Sequence, residues 1–136
     1  MAALTGDRST PMRSGEAVVL PVAGTKKIYA GSLVARDASG YATPGATATT
    51  LLGAGRAEAQ ADNSAGSSGD MTVEIRKGVF RFGNSSAGDA ITRAEIGTDC
   101  YIVDDQTVAK TNGTGTRSVA GKVFDVDTDG VWVRFA

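Results

Sequence analysis

The sequence predicts an all-β fold: a small single-domain β-barrel or β-sandwich of short strands, with an extended N-terminal arm and at most one short helix. Three observations point there. Apolar and polar residues alternate with period two in runs such as "MTVEIRKGVFRFGN" and "VWVRFA". Turn-forming Gly, Pro, Asn and Asp interrupt these runs at intervals of roughly 8–12 residues, the spacing of small barrels and sandwiches. With 18 glycines and only 6% aromatics, few stretches suit a long helix. A chain of 136 residues is one domain with a modest core, here divided into an arm over 1–15 and a β domain over 16–136.

The arm, "MAALTGDRSTPMRSG", mixes small and polar residues with Pro11 and has no periodicity, so it orders only against a partner. "EAVVLPV" is a strand that Pro21 places at an edge or a bend. In "KKIYAGSLVARD", Gly31 marks a bend between two short strands, and "DASGYATPG" gives a turn, a short strand at Tyr41 and a break at Pro44-Gly45. "TLLGAGRAEAQ" is a closely packed strand, and the Gly/Ser-rich "ADNSAGSSGD" over 61–70 is a flexible loop.

The strongest strand signal follows: Val73 and Ile75 alternate with Thr72, Glu74 and Arg76, and Lys77-Gly78 leads into Val79 and Arg81 against Phe80 and Phe82. "DAITRAEIG" over 89–97 is the one helix candidate, with Ile91 and Ile96 inward and Gly97 as a left-handed cap. "CYIVDDQTVAKT" is a hairpin through Asp104-Asp105, and Asn112-Gly113 is a turn. The closing segment alternates Val123, Asp125 and Asp127 on one side with Phe124 and Val126 on the other. It then turns at Gly130 into Val131, Val133 and Phe135, with Trp132 and Arg134 opposed.

"DVDTDG" also matches the first half of an EF-hand loop, with Asp125, Asp127, Asp129 and Gly130 at positions 1, 3, 5 and 6. Position 12 is Ala136 rather than a bidentate glutamate, so a hairpin turn is the better reading, with weak cation binding by the three carboxylates left open. The chemistry is otherwise sparse. The chain has no histidine, the side chain most used for acid–base work and metal ligation near neutral pH, and no enzyme is expected. Phosphate-loop, metal-knuckle and catalytic-triad motifs are lacking, "GAGRAE" is only part of a dinucleotide fingerprint, and no cofactor is expected.

A net charge of −1 argues against nucleic acid as a partner, and the arm charges Asp7, Arg8, Arg13 and Glu16 nearly cancel. The single Cys100, among strand residues, reads as a small buried hydrophobe and implies no oxidising compartment. Neither a signal peptide nor an apolar run of the roughly 20 residues that span a membrane is apparent, so no membrane partner and a cytosolic site of synthesis are expected.

The succession of "LTGDRSTPMR", "KIYAGSLVARDASGYATP", "VEIRKGVFRFGNS", "IGTDCYIVDDQTVAKT" and "AGKVFDVDTDGVWVRF" resembles the capsid decoration proteins of tailed bacteriophages, also called cement or head-stabilisation proteins. The resemblance spans nearly the whole chain. It implies a β domain that binds the outer surface of the expanded capsid, commonly as a homotrimer, with the major capsid protein as partner and the virion surface as its location. It implies contacts by the arm, where Leu4, Thr5, Asp7, Arg8, Thr10, Pro11 and Arg13 are the candidates. Arg8 and Arg13 are either partners of capsid carboxylates or solvated charges. Trp132, the single tryptophan, is either an interface anchor or a core residue. A different class, a carbohydrate-binding or adhesive β module of a phage tail or fibre, would use Trp132 for sugar and the three aspartates for calcium.

Overall fold

The computed structural model describes residues 2–136. Its strands are β1 (Ala17–Pro21), β2 (Lys27–Ile28), β3 (Leu33–Arg36), β4 (Ala42–Pro44), β5 (Leu52–Ala57), β6 (Ala61–Asp62), β7 (Thr72–Arg76), β8 (Gly78–Asn84), β9 (Asp99–Ile102), β10 (Thr107–Ala109), β11 (Val119–Asp127) and β12 (Gly130–Phe135). The all-β fold expected from the alternating pattern is therefore present, with an extended arm ahead of β1. An open five-stranded sheet runs in the order β1-β7-β5-β3-β4, and a closed barrel in the order β10-β8-β12-β11-β9; β2 and β6 form a separate pair.

The continuous run from β7 to β8 joins the two halves: its first part lies in the open sheet, and after Lys77 the chain enters the barrel. Each half has its own apolar cluster, and β3 belongs to both. Its Leu33 and Ala35 point into the barrel core, while Val34 points into the core of the open sheet. The two-residue period of a strand produces this division, and burial on both faces explains the unbroken apolar run "LVA". At the seam Gly53 of β5 lies on the backbone of β11, where a Cβ would overlap the Ala120 carbonyl. "GAGRAE" is thus a packing motif.

Period two holds where it was clearest. Val73 and Ile75 are buried between exposed Thr72, Glu74 and Arg76, and Val131, Val133 and Phe135 are buried in the barrel. At the hairpin Gly130 has φ 155°, a conformation that favours glycine, and Asp127 pairs with Gly130 across the turn. β11 departs from the simple alternation. The register shifts between Val123 and Asp125, so Val123 and Val126 both meet the core while Phe124 is 49% exposed. One extra residue in a bulge resets the parity of everything beyond it.

Two further segments differ from expectation. Residues 89–97 do not form one helix; 3-10 turns at Ala87–Asp89 and Arg93–Glu95 flank an extended stretch. The Asn84 side chain accounts for the break: its Oδ1 accepts from Ile91 N and its Nδ2 donates to Ile91 O, each at 2.8 Å. Ile91 is buried, as expected, but Ile96 is 44% exposed. The loop over 61–70 is tied down rather than free. Asn63 in it is 2% exposed and its amide donates to the Val22, Ala23 and Ser67 carbonyls at 3.2, 3.2 and 2.9 Å.

Candidate functional site

Every arm candidate lies outside the packed body. Residues 2–15 form no strand and are exposed throughout, with Leu4 71% and Met12 95% exposed. Within the arm Arg8 Nη1 donates to Thr10 Oγ1 at 2.7 Å, and neither Arg8 nor Arg13 meets a carboxylate among the described residues. The first tie to the body is Glu16, whose carbonyl accepts from Lys77 N at 2.7 Å. Leu4, Thr5, Asp7, Arg8, Thr10, Pro11 and Arg13 are thus on one exposed segment, and none of them lines the clefts described below.

The arm runs directly into β1, which is an edge strand, as Pro21 indicated. Among the described residues β1 pairs antiparallel with β7 alone, from Ala17↔Arg76 to Pro21↔Thr72. The bonds Lys77 N to Glu16 O and Val22 N to Met71 O fix the phase of this ladder. In an antiparallel pair the residues alternate in which side their backbone groups face, so Val18 and Leu20 address β7 while Ala17 and Val19 turn their N–H and C=O groups to the open edge. Val19 is also 60% exposed. Pro21, with no N–H, closes the free edge.

Trp132 is half-buried on the outer side of β12, outside the barrel core. Its indole N–H donates to Asp127 Oδ2 at 2.8 Å, and the Arg81 guanidinium lies 5.7 Å from the ring centre. With Arg56, Phe80 and Arg81 it lines a groove of about 430 Å³. This bond and the turn amides hold the Asp127 carboxyl below its usual range. The other two aspartates are engaged elsewhere. Asp125 Oδ1 accepts from Val126 N at 2.8 Å, and Asp129 faces Arg81 at 3.9 Å. Among the described residues no group of three or more His, Cys, Asp or Glu is arranged to hold a metal ion. Cys100 is fully buried, and burial pushes its thiol up to about 11.

One feature had no single signal in the sequence. A cleft of about 310 Å³ lies at the seam between open sheet and barrel, lined by Val18 and Leu20 of β1, Leu52 of β5, and the basic residues Arg36, Lys77, Lys122 and Arg134. A second apolar hollow holding Ile96 and Phe124 adjoins it through Lys122 and Arg134. These residues come from distant parts of the chain; only the outward phase of Arg134 in "VWVRFA" was readable in advance.

Fold and surfaces together define a small all-β protein whose exposed features are an arm, an open strand edge and a basic cleft. A scan against protein-family models finds no match, and neither a search of curated proteins nor one of solved structures finds a similar chain.

Proposed function

We propose that the protein is a capsid decoration protein of a tailed bacteriophage, which binds the outer surface of the expanded capsid and stabilises the lattice of the major capsid protein without catalysis. The observation that carries this reading is an arm over 2–15, exposed throughout, that continues into the open edge strand β1 of a small packed body. Such a segment has its backbone donors and acceptors free to add to a neighbour's sheet, and Arg8 and Arg13 are free to pair with capsid carboxylates. The protein would act from the virion exterior after synthesis in the host cytoplasm, as a homotrimer that repeats each contact around a symmetric site.

The stabilisation follows from linkage. A ligand that binds the assembled shell and not its dissociated subunits shifts the equilibrium toward the shell, and repeated copies on a lattice add avidity. The test is co-sedimentation with expanded, undecorated heads of the encoding phage, with unexpanded proheads as the control. Saturable binding to expanded heads at a fixed ratio to the major capsid protein is expected. Binding to neither particle overturns the reading, and unchanged binding after deletion of residues 2–14 overturns the role of the arm.

A further inference from the structure

We infer that the open edge of β1 and the basic cleft beside it form a second docking site, distinct from the arm, which takes an extended acidic segment of the major capsid protein as an added strand. The inference rests on the capsid-binding reading and names the chemistry of the partner. Geometry makes edge and cleft one site. Ala17 and Val19 present backbone groups along the edge, while the side chains of Val18 and Leu20, on the same strand, line the cleft. A strand added to β1 continues its pleat, so alternate side chains of the newcomer would lie on the cleft side.

Charge selects what those side chains are. Four basic residues line the cleft, beside Asp99 and the terminal carboxylate of Ala136. Asp99 is taken by Lys122 at 2.7 Å, and Lys77 Nζ donates to a terminal carboxylate oxygen of Ala136 at 3.0 Å. Arg36 and Arg134 meet no carboxylate among the described residues, and Arg134 lies over the Phe124 ring at 4.9 Å. Two free guanidiniums beside an apolar floor are complemented by carboxylates on a segment that also carries apolar residues. The arm of a second copy fits poorly, because it sets one acid, Asp7, against Arg8 and Arg13. The open backbone edge favours a peptide over a nucleic acid or a sugar.

The test uses two full-length variants with the arm intact. Arg36→Glu with Arg134→Glu reverses two exposed charges, and Val19→Pro removes an outward N–H while leaving the ladder to β7 in place. Each is compared with the wild type in co-sedimentation with expanded heads over a range of salt concentrations, after melting curves confirm folding. The expected result is about tenfold weaker binding for each variant, and a shallower salt dependence for the charge reversal. The charge-reversal pair, on exposed side chains, decides the matter even where Val19→Pro fails to fold. Wild-type binding matched by the charge-reversal variant overturns this inference and leaves the capsid reading standing. Absence of wild-type binding overturns both. If sedimentation equilibrium shows a wild-type oligomer that the charge reversal dissociates, the occupant is a second copy and the acidic capsid segment is overturned.

Discussion

The Asn84 side chain holds both backbone groups of Ile91, accepting from its N–H and donating to its carbonyl, each at 2.8 Å. One amide thus stands in for a strand neighbour and seats Ile91, 2% exposed, in the barrel core. Asn84→Ala leaves two backbone groups without partners and loosens Ile91, a loss of about 2–3 kcal/mol on the usual scale for such groups. Urea unfolding checks this as a lower midpoint with an unchanged slope. A midpoint equal to wild type would mean that water or a shifted backbone replaces the amide.

The same pair shows what a sequence reveals and what it hides. Val73, Ile75, Val131 and Val133 were legible because a strand buried on one face writes its geometry directly into alternation. The β11–β12 hairpin was legible because Asp129-Gly130 demands a turn. The break in 89–97 was not, since its cause, Asn84, lies outside that window. Simple parity sets Phe124 on one side with Val126, and the bulge between Val123 and Asp125 separates them. Asn63 looked like one more polar residue in a Gly/Ser loop, yet its amide finds three carbonyls that only the fold brings together. The arm was readable as an absence of pattern. The basic cleft was not, because Arg36 and Arg134 meet only through the packing of sheet on barrel.

Asp89 gives the fold a pH dependence. Its carboxylate accepts from Thr111 Oγ1 at 2.6 Å, Arg117 Nη1 at 2.8 Å and Ser85 Oγ at 3.1 Å, which ties the loop after β10 to the end of β8. The Thr111 hydroxyl, followed by Arg117, lowers its pKa from 3.8 to about 2. Because the folded value lies below the unfolded one, the stabilisation is fully present above pH 3.8 and is lost as pH falls toward about 2. The shift corresponds to on the order of 2 kcal/mol. Asp89→Asn is expected to lower stability at pH 7 and to flatten the loss between pH 4 and pH 2, measured by urea midpoints across that range. Parallel pH curves for the two proteins would show that other carboxylates govern acid unfolding.

Cys100 supplies an internal probe of opening. Its side chain is fully buried in the barrel core and its thiol is pushed up to about 11, so the reactive thiolate is scarce at pH 8 and shielded from reagent. An aromatic disulfide reagent at pH 8 is expected to modify the urea-unfolded chain within seconds, and the native chain only at the rate of structural opening. Destabilising variants such as Asn84→Ala should accelerate native labelling in proportion to their loss of stability. Rapid labelling of the native wild type would contradict the closed barrel around Cys100.

The Asp127–Trp132 bond favours a turn over a calcium site at the closing hairpin. Asp127 Oδ1 accepts from Asp129 N at 2.8 Å and Gly130 N at 3.0 Å, while Oδ2 accepts from the Trp132 indole at 2.8 Å. Both oxygens are therefore committed to shaping the turn, and calcium would compete with those bonds for the carboxylate. Calcium is expected to leave the melting temperature unchanged relative to chelator. Asp127→Ala is expected to lower the melting temperature by several degrees and to alter Trp132 emission by freeing the indole N–H. Titration with simple sugars should leave that emission unchanged. A melting temperature that rises with calcium and reverts in Asp127→Ala would restore the metal-assisted, sugar-binding reading and count against a purely structural hairpin.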